Sequence, residues 1–106
     1  MNLAELQTRA LEVADQYREL NLKVHGKEWT ATDYMSGFVG DVGDLSKIVM
    51  AKNGLRTIVD VDEKLRHELS DCLWSLLVLA AQYEINLEHE FLKNMKGLER
   101  RIAQES

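Results

Sequence analysis

The chain has no proline, one cysteine, no long apolar run and a deficit of positive charge, and each of these removes a class of answer. Without proline, and with its few glycines scattered, the sequence reads as long helices joined by short connections. Cys72 has no partner for an intrachain disulfide, and its apolar neighbours point to a packed thiol with no chemical role. The longest apolar run, Cys72 to Ala81, is interrupted by Ser75 and falls well short of the roughly 20 residues that cross a bilayer. No membrane is expected, and the polar N-terminal stretch carries no apolar signal core, so the expected location is the cytoplasm. A net charge of −5 argues against a nucleic-acid polymer, which needs a basic surface to displace counterions from phosphate. A small phosphorylated ligand, bound through a metal, stays open.

What is present is a single all-α domain spanning residues 1–106, long enough to bury one core. Apolar residues at Leu3, Leu6, Ala10, Val13, Ala14, Tyr17 and Leu20 predict a first helix from about Leu3 to Leu20. The period lapses over Asn21 to Thr32, which reads as a loop, and Thr30 or Thr32 caps a second helix reaching about Asn53, with Gly54 as its stop. Asp60 and Glu63 form the pattern of a capping box for a third helix ending near Tyr83. Asn86 caps a fourth, with Leu87, Phe91, Met95, Leu98 and Ile102 on one face. Between Cys72 and Ala81 almost every side of the third helix is apolar. In a domain this small four helices cannot easily enclose one of their own, so a homo-oligomer, dimer or tetramer, is expected.

Four carboxylates do not fit a solvated face. Asp41 falls at the edge of the second helix's apolar arc with no cation near it on its own helix, and Asp44 follows three residues later. Glu68 and Asp71 repeat the spacing on the third helix. Like charges so placed repel, and burying one unpaired costs several kcal/mol, so something must compensate, which a hard divalent cation does directly. Facing carboxylate pairs supply the all-oxygen surroundings that Mg²⁺ or Mn²⁺ prefers; zinc would ask for histidine or cysteine, and a di-iron bundle for Glu-x-x-His. The plain alternative is surface ion pairing, in which Lys47 serves Asp44, Lys64 serves Glu68 and His67 serves Asp71.

The ordered set Gly40-Asp41-Val42-Gly43-Asp44-Leu45, then Glu68-Leu69-Ser70-Asp71 with its apolar continuation, then Lys93-Asn94-Met95-Lys96-Gly97-Leu98-Glu99-Arg100, resembles the MazG-like all-α nucleoside triphosphate pyrophosphohydrolases over about Trp29 to Arg101. The family pattern is Glu-Glu-x-x-Glu on one helix and Glu-x-x-Asp on the next. The resemblance implies a four-helix bundle completed by oligomerisation and a Mg²⁺ site made by Asp41, Asp44, Glu68 and Asp71. It also implies hydrolysis of a nucleoside triphosphate to the monophosphate and pyrophosphate, with Asp44 or Glu68 taking the water's proton. Lys93 and Lys96 are expected to meet phosphate oxygens, and Trp29 to stack on a base.

The sequence departs from the family pattern at Gly40, which stands where the leading glutamate would be, and at Asp41 and Asp44, which are one methylene shorter than glutamate. The shorter reach asks the second helix to approach the metal closely, which small residues at Gly37, Gly40 and Gly43 would allow. A non-catalytic helical oligomerisation or nucleotide-binding module with a degenerate metal site is the alternative reading.

Overall fold

The computed structural model describes residues 1–105, which form four helices: α1 (Leu3–His25), α2 (Ala31–Lys52), α3 (Val61–Gln82) and α4 (Leu87–Glu105). No described helix is long and apolar enough to cross a membrane.

The ends of these helices are set by local chemistry. Asn2 caps α1 by accepting the Glu5 N–H at 2.9 Å. That helix then runs past Leu20, through the expected loop, to Gly26 at φ 73, where the left-handed conformation stops it. The apolar period lapses after Leu20 because Leu22 and Val24 face solvent, not because the helix ends. Thr30 caps α2 in a reciprocal box with Asp33: the Thr30 N–H donates to Asp33 Oδ2 at 2.8 Å and the Asp33 N–H to Thr30 Oγ1 at 3.3 Å. At its far end Gly54 is left-handed, with its N–H on the Ala51 carbonyl and the Leu55 N–H on that of Met50, a Schellman closure.

The capping box expected from Asp60 and Glu63 is not made. Asp60 is itself left-handed (φ 56, ψ 42), and its side chain makes no capping bond, because capping needs the extended backbone that aims the side chain at the first turn. Asn86 does cap α4, accepting the His89 N–H at 3.1 Å.

The short turn after α2 folds α3 back along it, and α1 packs on α3. Alanines at Ala10 and Ala14 let α1 sit close, over a core with Tyr34, Leu77 and Val78. Trp74 ties the two helices further, donating from Nε1 to the Ala10 carbonyl at 3.2 Å. An exposed Lys52–Asp62 ion pair spans the α2–α3 turn.

The apolar stretch of α3 is buried on one side only. Ser75, Leu77, Val78 and Ala80 are inside, whereas Leu69, Leu73 and Leu76 are between 42% and 53% exposed. Helix α4 meets α1 and contributes no buried residue; its Phe91, Leu98 and Ile102 face outward. The radius of gyration, 17.0 Å, exceeds the ~13 Å of a compact chain of this length. A single chain is therefore a three-helix core with a fourth helix projecting from it.

Candidate metal and nucleotide site

Because α2 and α3 run antiparallel from a short turn, residues equally far from that turn face each other. Asp41 is set opposite Asp71 by this register, and Asp44 opposite Glu68. Carboxylate oxygens of Asp41, Asp44 and Glu68 all come within 4.8 Å of one another. In an octahedral Mg²⁺ shell no two ligand oxygens are farther apart than about 4.2 Å, twice the usual bond length. A bound ion would have to draw the three carboxylates closer together.

Asp44 lies on the exposed rim, while Asp41 and Glu68 are partly buried. Glu68 Oε2 is shut off from solvent and, among the described residues, has no hydrogen-bond partner. Burial first, and then the charges of Asp71, Asp44 and Asp41, raise the Glu68 pKa, with His67 opposing. Asp41 is raised in the same way, by burial and then by Asp71 and Asp44, while a hydrogen bond from the buried Ser75 pulls it back. The same field reaches Cys72, whose thiol is pushed up by burial and then by Asp41, Glu68 and Asp71.

The ion pairs that would have neutralised this cluster are mostly not formed. Among the described residues neither Lys47 with Asp44 nor Lys64 with Glu68 makes a contact, but His67 Nε2 lies 3.0 Å from Asp71 Oδ2. Asp71 thus borders the cluster and turns its carboxylate toward His67. The helix glycines do not serve close packing within the chain. A Cβ at Gly40 or Gly43 would meet nothing within 4 Å, and one at Gly37 only the Trp29 ring at 3.7 Å, an ordinary contact.

A cleft of about 560 Å³ opens between α1, α2 and α3, with Asp41, Ser70 and Asp71 at one end. The aromatic rings of Tyr17, Trp29, Tyr34 and Trp74 line it too, with Val13 and Asn21. Trp29 meets Tyr34 edge-on at 5.4 Å between ring centroids, Tyr34 meets Trp74 at 5.9 Å, and Trp74 meets Tyr17 at 6.0 Å. Trp29 is about half exposed, so part of its surface is free to meet a ligand, whereas Trp74 also packs on the core.

Lys93 and Lys96 are not brought to this cleft. Both are exposed on α4, where Lys93 borders a shallow depression with Glu90, Asn94 and Gly97. The sequence reading missed Asn21, which lines the cleft because α1 continues one turn beyond Leu20. The signal was there: Val13, Tyr17 and Asn21 are four apart and prolong one helical stripe.

No protein-family profile, curated protein or solved structure matches this chain.

Proposed function

We infer that the chain is a Mg²⁺-dependent nucleoside triphosphate pyrophosphohydrolase that works as a homo-oligomer. The observation carrying this reading is the unpartnered, enclosed Glu68 Oε2, set among the carboxylates of Asp41 and Asp44 and beside an aromatic cleft. An all-oxygen donor set with one buried oxygen lacking a partner suits a hard divalent cation, Mg²⁺ or Mn²⁺, better than zinc. Asp41, Asp44 and Glu68 would hold it, with Asp71 next in line once released from His67. Bound there, the cation would supply charge neutralisation for the triphosphate and favour in-line attack by water.

The chain's own groups supply the rest. Trp29 and its aromatic neighbours offer a stacking wall for a base. In this reading Asp44 on the rim or Glu68 within accepts the attacking water's proton. The exposed apolar strips on α3 and α4 support self-association, which would bury them. Lys93 and Lys96 lie away from the cleft of their own chain, so a phosphate role for them requires another copy to present its α4 to the site.

The deciding experiment incubates the purified protein with each common NTP and dNTP and millimolar Mg²⁺, then assays pyrophosphate. Release that EDTA stops supports the reading. No release with any nucleotide overturns it in favour of a non-catalytic helical module, and release that survives EDTA overturns the role of the metal.

A further inference from the structure

Stacking on aromatic rings holds any base, since every base has a π-face; selection among bases needs a directed donor and acceptor. The cleft's aromatic wall therefore leaves the choice of base to its polar groups. Asp41 and Asp71 belong to the acidic end, and Ser70 adjoins Asp71 there. Asn21 stands on the α1 wall, one turn beyond Tyr17, and is the carboxamide that lines the cleft. Its side chain is partly buried, and among the described residues it makes no hydrogen bond. A carboxamide carries an adjacent acceptor and donor, the pattern that pairs with a base edge through two bonds.

The geometry points to Asn21 as the residue that selects the base, reading the edge of a nucleobase stacked in the aromatic cleft. This rests on the reading of the cleft as a nucleotide site, but not on catalysis. Adenine and cytosine offer an amino donor beside a ring-nitrogen acceptor; guanine and thymine offer a carbonyl acceptor beside a ring N–H. The carboxamide presents its acceptor and donor in one order or the other, and the order it holds in the cleft decides between these two pairs of bases. Replacing it by carboxylate removes the donor, and only guanine, through N1–H and N2–H₂, presents two adjacent donors to such a group.

The test uses the full chain in EDTA with each of the four 2′-deoxynucleosides as probe. Binding is followed through the two indole N–H resonances, which belong to Trp29 and Trp74. The wild type is expected to discriminate among the nucleosides by about tenfold, the scale of one two-bond base contact. Asn21→Leu keeps α1 helical and should compress that range to within about threefold, while Asn21→Asp should move the preference toward deoxyguanosine. An unchanged order of affinities in Asn21→Leu, or no indole shift with any nucleoside, overturns the inference. Parallel assays of Mg²⁺-dependent pyrophosphate release separate the two ideas. Hydrolysis with equal kcat/KM for all bases sinks the role of Asn21 and leaves the pyrophosphohydrolase standing; nucleoside selection through Asn21 without hydrolysis supports the inference and sinks the enzyme.

Discussion

Glu68 on α3 holds a carboxylate oxygen within 4.8 Å of one from Asp41 on α2, and the Asp41 charge adds to the burial that raises the Glu68 pKa. The two helices thus pack with a built-in repulsion, and its removal by protons or by metal is measurable.

Both raised pKa values mean that the folded chain binds protons more tightly than the unfolded one, so ionising these groups costs stability. The cost is complete above their folded pKa values and disappears as pH falls toward the ordinary 3.8 of Asp41 and 4.5 of Glu68. Asp33 and Asp62, whose pKa values are lowered by Thr30 and by Lys52, act with the opposite sign, but that stabilisation is lost only below the ordinary 3.8. Thermal melts in EDTA should therefore show Tm rising as pH is lowered from neutral toward those ordinary values. In millimolar Mg²⁺ the trend should reverse, because protons compete for the same oxygens. A Tm in EDTA that falls steadily over this range would contradict the repulsion.

Asp41→Asn should leave the EDTA form as stable as the wild type or more so, since the amide keeps an acceptor for Ser75 and loses the charge. Wild type should gain about 2.7 kcal/mol from Mg²⁺ at a hundredfold excess over Kd, and the variant little. Paired melts with EDTA and with Mg²⁺ decide this. Strong destabilisation of the metal-free variant would make Asp41 a structural hydrogen-bonding group instead.

Glu68→Gln and Asp71→Asn should differ in their effect on hydrolysis. Glu68 lies inside the oxygen cluster, so its loss should lower pyrophosphate release by roughly a hundredfold or more. Asp71 is engaged by His67, and its loss should cost closer to about tenfold. Equal, small effects at both positions would take these carboxylates out of the mechanism.

Light scattering on the folded protein should give at least twice the 12.2 kDa chain mass. Leu73→Glu with Leu76→Glu, placing charges on the exposed side of α3, should shift the population toward single chains. A monomeric wild type at micromolar concentration would leave those leucines unexplained and remove the oligomer.

Thr30→Ala should cost about 1 kcal/mol, because it removes the cap of α2. Asp60→Gly should cost nothing or stabilise slightly, since Asp60 makes no cap and glycine accepts its left-handed backbone more readily. Urea melts with an unchanged slope test both. A large loss in Asp60→Gly would mean that its side chain matters in a way its backbone does not show.

The sequence by itself determined what depends on neighbours along the chain. Four helices follow from apolar period and the absence of proline, the caps at Thr30 and Asn86 from side chains that bond within one turn, and the facing of Asp41 and Asp44 with Glu68 from spacing about a short turn. Local signals misled where solvent exposure imitated a helix end, at Asn21 to His25, and where Asp60 adopted a backbone its residue type does not announce. Only the tertiary structure decided which surfaces meet. It gathered Tyr17, Trp29, Tyr34 and Trp74 from three helices and a loop into one cleft, and brought Asn21 to its wall. It also held Lys93 and Lys96 away on α4. Such contacts join residues far apart in the chain, and they are fixed by how helix faces of particular size pack: Ala10 and Ala14 draw α1 against α3, while among the described residues α4 packs mainly on α1, away from the carboxylates.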